Sequence, residues 1–190
     1  VIMLGDRLLR LVERVHLAQH VDAVEHAAHA HQALDVEARG DALRVLMQGQ
    51  APKRQLMQQF LAEPRSVLVG SQSFWEGIDV PGDALQCVLI DKLPFPPPND
   101  PLIEARVKRL EAQGRNPFND CFVAAAAVSL KQGAGRLIRS ETDRGLLVVC
   151  DPRMARMPYG ARLRAALPPM LRLDDESAAL AWLAELALDH

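Results

Sequence analysis

Four short β-rich apolar runs, residues 43–47, 66–69, 86–90 and 146–150, alternate with stretches of helical period. That alternation constrains the fold more than any other feature of the chain. Each run is bounded by Gly, Pro, Asp or charged residues, the punctuation expected of buried strands. Strands alternating with helices imply an α/β layer structure, a mostly parallel sheet flanked by helices. With 190 residues and 49% hydrophobic content the chain has material for one domain with a sizeable core.

Between the first two runs, Gln48-Gly-Gln50 reads as a turn. Pro52 then opens a helix, where its missing N–H does no harm. Leu56, Met57, Phe60 and Leu61 are expected on that helix's apolar face. After the third run, Asp91 to Pro101 holds five prolines, which forbid regular helix and favour an extended passage across the surface. Leu102 to Gln113 follows as an amphipathic helix carrying Arg106, Lys108 and Arg109, Asn116 to Asp120 as a turn, and Cys121 to Leu130 as a buried Ala-rich helix. Past the fourth run, Tyr159 to Ala166 forms a short basic helix. Asp174-Asp-Glu176 then opens a last helix, whose Leu180, Trp182, Leu183 and Leu186 should dock on the domain.

Residues 1–43 are the least legible. Leu4, Leu8, Leu11, Val12 and Val15 keep a helical rhythm, and five histidines then crowd an Ala- and acid-containing stretch. His16 with His20, or His26 with His29, would meet on one helix face, but no cysteine or placed carboxylate completes a metal site, so none is assigned. The expected organisation is an atypical segment 1–43, helical or poorly ordered, followed by a domain over 44–190.

The chemistry concentrates in two places. Gly70-Ser-Gln-Ser-Phe-Trp-Glu-Gly-Ile-Asp-Val-Pro-Gly82 follows the second strand, at the carboxyl end where open parallel sheets bind ligands. Ser71, Gln72 and Ser73 offer hydroxyl, amide and backbone donors suited to a phosphodiester, and Asp79 suits a ribose hydroxyl. Phe74 and Trp75 either stack on a base or plug the sheet. Glu76 and Asp79 either serve a ligand, cap the loop or pair with arginines. The second place is Gln132-Gly-Ala-Gly-Arg-Leu-Ile-Arg139. Continued as a helix at about 100° per residue, it would gather Gln132, Arg136 and Arg139 within an arc of roughly 60°. Gly133 and Gly135 would each cost that helix about 1 kcal/mol relative to Ala, a sign of close approach by backbone or ligand. One amide and two guanidiniums match a polyphosphate, although two arginines three apart also occur on solvated faces.

The formal net charge of −2 excludes a generally basic coat but not a local basic strip. No apolar run is long enough to span a bilayer and no secretory signal opens the chain, so a cytoplasmic protein with no membrane contact is expected. Cys87, Cys121 and Cys150 are dispersed and set in apolar sequence, as buried thiols are.

In the order of these motifs the chain resembles the second motor domain of superfamily 2 helicases. The similarity is greatest to the DinG-like members, bacterial relatives of XPD that include the YoaA branch. It runs from about Arg44 to Met154. Gly70 to Gly82 looks like helicase motif V, Ile90-Asp-Lys-Leu-Pro-Phe95 resembles the sequence just after it, and Gln132 to Arg139 looks like motif VI. The resemblance implies a RecA-like domain that faces an N-terminal RecA-like motor domain, with ATP and Mg2+ in the cleft and single-stranded DNA across the top. It implies that Arg136 and Arg139 reach the γ-phosphate, one as an arginine finger, with Gln132 sensing nucleotide state. Gly77 and Asp79 would lie near the nucleotide or couple it to DNA, with Glu76 supporting their loop. Ser71, Gln72 and Ser73 would hold the DNA backbone, with Trp75 beside them. A monomer is expected at full length.

The chain departs from the family pattern in three ways. It has no Gly-x-x-x-x-Gly-Lys-Ser/Thr loop and no Asp-Glu-Ala-His-like box, so phosphate cradle, magnesium ligand and water-activating carboxylate must come from elsewhere. The four-cysteine iron–sulfur set of many relatives is absent. Residues 1–43 lack the family's strand ending in Ser or Thr, which implies either a fragment with an unrelated leader or a disguised first strand, with an incomplete sheet edge. The expected function is half of an ATP-dependent DNA helicase, inactive alone. The alternative is a non-catalytic nucleic-acid or nucleotide binding module.

Overall fold

A computed structural model describes residues 2–4, 44–63, 65–71, 74, 84–138, 143–173 and 175–188. They fall into two compact units. The first takes residues 1–89, 136–148 and 171–190, and the second 90–135 and 149–170.

The first unit is built on a five-stranded sheet of order β2-β3-β1-β4-β5. Its strands are β1 (Ile2–Leu4), β2 (Arg44–Met47), β3 (Ser66–Val69), β4 (Cys87–Ile90) and β5 (Leu146–Val149), the last residues of β4 and β5 passing into the second unit. β2 and β3 are parallel, Arg44 opposite Ser66 and Met47 opposite Val69. The Leu146 N–H donates to the Gln86 carbonyl at 2.8 Å and the Cys150 N–H to that of Ile90 at 2.9 Å, so the bonds advance together along β4 and β5, as in a parallel pair. All of β4 is buried, as are Ser66, Val67 and Leu68, which explains why these strands read as unbroken apolar runs rather than alternations.

β1 is a correction to the sequence-based expectation. Ile2–Leu4 is a strand, not the start of a helix, and it lies inside the sheet, antiparallel to both β3 and β4. Pairing on two sides outweighs the local helical rhythm that Leu4 shares with the residues beyond it. The rest of segment 5–43, including the histidine pairs, lies outside the described residues.

Helix α1 (Lys53–Ala62) starts after Pro52 and buries Leu56 and Phe60, one turn apart; Met57 is half-buried, whereas Leu61 is 41% exposed. Ser66, itself buried, donates its hydroxyl to the carbonyls of Phe60 and Glu63 at 3.2 and 2.7 Å, so the start of β3 satisfies the end of α1. Val67, Cys87, Leu146 and Leu183 form a buried cluster. The last of these comes from the C-terminal helix Glu176–Leu188, whose start is held by Asp175 accepting from the Ala178 N–H at 2.8 Å. Leu186 is also buried, Trp182 packs against the cluster, and the Arg144 guanidinium lies 5.5 Å from the Trp182 ring.

The second unit begins with the proline-rich passage, which holds no regular element up to Pro101. Helix α2 (Pro101–Ala112) follows, capped by Asp100, which accepts from the N–H groups of Leu102 and Ile103. The stretch expected as a turn instead enters a π-helix, Phe118–Val123, which runs into α3 (Ala124–Ala134). Two short helices follow β5, α4 (Arg153–Arg156) and α5 (Gly160–Ala165). Here a glycine is required by contact: a Cβ at Gly160 would fall inside the van der Waals envelope of the Met154 carbonyl. Gly160→Ala is therefore expected to destabilise the protein by about 1–3 kcal/mol, measured by urea unfolding, because the α4–α5 turn must open. An unchanged midpoint would contradict this packing.

Candidate nucleotide and nucleic-acid site

The loop that follows β3 is anchored by a residue of the neighbouring strand's exit. Gln48 follows β2 directly, and its N–H donates to the Val69 carbonyl at 2.8 Å, extending the parallel pairing by one bond. Its side-chain oxygen then accepts from both the N–H and the hydroxyl of Ser71, at 2.7 and 2.9 Å. Gly49, at φ 99°, turns the chain back in a conformation that favours glycine, and the Gln50 side chain closes the turn by accepting from the Met47 N–H at 2.9 Å. Sequence reading saw only a turn in Gln48-Gly-Gln50 and missed Gln48, whose two bonds to Ser71 span 23 residues.

Phe74 resolves one of the open alternatives. It is 4% exposed and plugs the first unit rather than offering its face, with the Lys53 ammonium 5.3 Å from the ring centroid. A Cβ on Gly70 would lie 3.0 Å from Phe74 and 3.3 Å from the Gln48 oxygen, so the strand exit is tightly filled. Ser71 is exposed. Gln72, Ser73, Trp75, Glu76, Gly77 and Asp79 lie outside the described residues.

The second motif differs from the expected geometry. α3 ends at Ala134 and Gly135 closes it, its N–H donating to the Lys131 carbonyl at 2.9 Å. Gln132 is exposed in the last helical turn and belongs to the second unit. Arg136 sits in the turn beyond, half-buried and already engaged, and belongs to the first. The single helical arc therefore does not extend to Arg136, because two glycines in three residues leave the helix too weak to continue. Leu137, fully buried, fixes the segment next to Arg136. Arg139 lies outside the described residues.

In the second unit the residues after β4 and after β5 are joined by Asp151, whose side chain is 3% exposed. It accepts from the Leu93 N–H at 2.9 Å, the Arg153 N–H at 2.9 Å and the Arg153 guanidinium, whose Nη2 lies at 2.6 Å. Burial alone would push this carboxyl up, but the hydrogen bonds from Arg153 and the two backbone N–H groups outweigh it and hold it below the usual 3.8. Burial, with the Asp91 carboxylate adding to it, pushes the Cys150 thiol up to about 11. That thiol is therefore protonated and inert at neutral pH. Cys87 and Cys121 are buried, as expected.

An α/β fold with parallel strands ending in such loops is RecA-like, and comparison with known proteins agrees. Residues 15–170 match the helicase C-terminal domain family, and the chain belongs to it. The match begins well upstream of Arg44, the start that the motif order implies. Among similar proteins is the ATP-dependent DNA helicase YoaA of Escherichia coli, 49% identical over 75% of this chain and 22% of its own length. The ATP-dependent helicase DinG of Mycobacterium tuberculosis H37Rv is 45% identical over 75% of this chain and 22% of its own. The 3'-5' exonuclease DinG of Bacillus subtilis is 36% identical over 73% and 15%. The chain thus spans about a fifth of the length of the first two. It is a C-terminal helicase domain of the DinG/YoaA type.

Because the folded Asp151 carboxyl titrates below its unfolded value, its stabilising effect is complete above the unfolded value and is lost as pH falls through the folded one. Asp151→Asn should cost about 2 kcal/mol at pH 7, where hydrogen bonds to a charged group are lost. The gap between variant and wild type should narrow as acid protonates the wild-type carboxyl. Urea unfolding at pH 7 and pH 3 checks this; a gap that stays constant or widens in acid contradicts it.

Proposed function

We propose that this chain is the second motor half of an ATP-dependent DNA helicase, and that it supplies arginines to a nucleotide held mainly by an N-terminal RecA-like motor domain. The observation that best supports this is the fixed exit of β3: Gln48 and Phe74 set Ser71, exposed, at the carboxyl end of a parallel strand pair, where such folds bind ligands. Ser71 with Gln72 and Ser73 binds the phosphodiester backbone of single-stranded DNA, with Trp75 against a base. Gly77 and Asp79, supported by Glu76, connect that strand to the nucleotide.

Arg136 and Arg139 act on the γ-phosphate, and Gln132 follows its presence. The donor set fits the group: guanidiniums and an amide donate only where phosphate oxygens accept. The chain has no Gly-x-x-x-x-Gly-Lys-Ser/Thr loop and no Asp-Glu-Ala-His-like box, so the ligands of Mg2+ are assigned to the N-terminal domain. ATP with Mg2+ supplies the phosphoryl group whose cleavage drives movement. The arginines neutralise charge that builds on its oxygens, an effect worth about 10³ to 10⁵ in rate for an arginine finger. No helix among the described residues is long and apolar enough to cross a membrane.

Mixing this chain with the N-terminal motor domain of the same protein should restore DNA-stimulated ATP hydrolysis that neither half shows alone. Arg136→Ala or Arg139→Ala should lower the restored kcat by about 10³-fold or more for the finger itself, with single-stranded DNA binding retained. Hydrolysis by this chain alone would overturn the assignment. DNA binding with no restored hydrolysis would favour a non-catalytic binding module.

A further inference from the structure

The second unit carries an aromatic cluster that neither the nucleotide nor the strand-exit loop uses. Phe95, from the proline-rich passage, meets Phe118 of the π-helix at 5.8 Å between centroids and Tyr159, ahead of α5, at 5.7 Å. Phe118 in turn lies 5.3 Å from Tyr159 and 6.2 Å from Phe122, the latter nearly parallel at 22°. Three segments far apart in sequence thus converge on Phe118. Nevertheless Phe118 is 45% exposed. A phenyl ring kept in place by three others and still partly exposed is a rigid surface rather than a filled core.

The backbone that carries it is unusual. A π-helix is rare, and such i→i+5 turns occur frequently at functional sites. The Asn119 carbonyl, next to Phe118, accepts from the Arg162 guanidinium at 3.0 Å. Arg162 is exposed, and this is its one polar contact among the described residues. A second guanidinium, that of Arg153, lies 5.3 Å from the Phe95 ring, with 47% of its side chain in solvent. Two acids of this unit are paired, Asp120 with Arg115 at 3.0 Å and buried Asp151 with Arg153. The unit as a whole holds ten Lys and Arg against six Asp and Glu, although the whole chain is net negative.

We propose that Phe118 is a stacking platform for a base of single-stranded DNA, with Arg162 receiving a phosphate of the same strand. Aromatic faces accept any base, and guanidiniums beside them hold the backbone, the combination that binds single strands without reading sequence. Charge selects this occupant: a polyanion with flat apolar bases matches an exposed ring in a unit whose Lys and Arg outnumber its Asp and Glu, an excess that an apolar peptide face would leave unused. The ligand is that of the proposed motor function, but the site is separate from the Ser71 loop and stands on its own contacts.

The test is fluorescence anisotropy of the chain with labelled oligothymidylate and with an abasic strand of equal length. Phe118→Ala should weaken oligothymidylate binding about tenfold, as loss of one stacked base does, and leave abasic binding nearly unchanged. Arg162→Ala should weaken both and lower the salt slope by about one unit. Phe118→Trp, which keeps a ring, should bind like wild type and show indole quenching by oligothymidylate, beyond that of the wild type's own tryptophans, but not by the abasic strand. Equal losses on both strands in Phe118→Ala, or no loss, would overturn the platform while leaving DNA binding by the chain intact. If wild type binds neither strand, both the platform and the DNA-binding part of the motor proposal fall. Should Phe118→Ala not fold, absence of selective quenching in Phe118→Trp overturns the platform by itself.

Discussion

The double hydrogen bond from Ser71 to the Gln48 side chain is the contact on which the exit of β3 depends. Parallel strands end with their carbonyls and N–H groups open to water, and the loops beyond them have no ladder to hold them. Here the ladder is carried one step further by the Gln48 N–H on Val69, and the side chain of the same residue then takes over at Ser71. The loop consequently leaves β3 in a fixed direction, with Phe74 turned inward as its anchor. The Ser71 hydroxyl is thereby held in place, which under the proposed DNA contact would lower the entropy lost on binding.

The second unit solves a similar problem with charge. The chain leaving β4 has no regular element up to Pro101 and the chain leaving β5 reaches α4 only at Arg153, and buried Asp151 draws them together through Leu93 and Arg153. Arg153 then reaches over Phe95, so the ion pair and the aromatic cluster share a guanidinium. A buried carboxylate is tolerable only because it has several donors, and removing any of them leaves the rest desolvated.

Much of this was legible from residue pattern. β2, β3, β4 and β5 fall within a residue of the expected runs, and α1, α2 and the last helix lie where helical period and Pro52 place them. Such features arise from short-range preferences and from burial on both faces of a sheet. What failed was set by contacts distant in sequence. Ile2–Leu4 became a strand because β3 and β4 pair with it, and the supposed turn at Asn116 to Asp120 winds into a π-helix, with rings from Phe95 and Tyr159 against it. The helix before Arg136 stopped at Ala134, although the two glycines that weaken it were plain in the sequence; they were read as a close approach within a helix rather than as its end. Of the candidate site, Ser71 and Phe74 could be placed by the strand rule, whereas Gln48 carried no signal beyond its place before a glycine.

Amide hydrogen exchange at Ser71 measures the central contact without reference to any ligand. In wild type we expect its N–H to exchange about tenfold or more slowly than an open loop amide, and in Gln48→Leu to lose that protection while the amides of β2 and β3 keep theirs. A Ser71 amide that exchanges freely in wild type, or equally slowly in Gln48→Leu, would contradict the anchoring of this loop by Gln48.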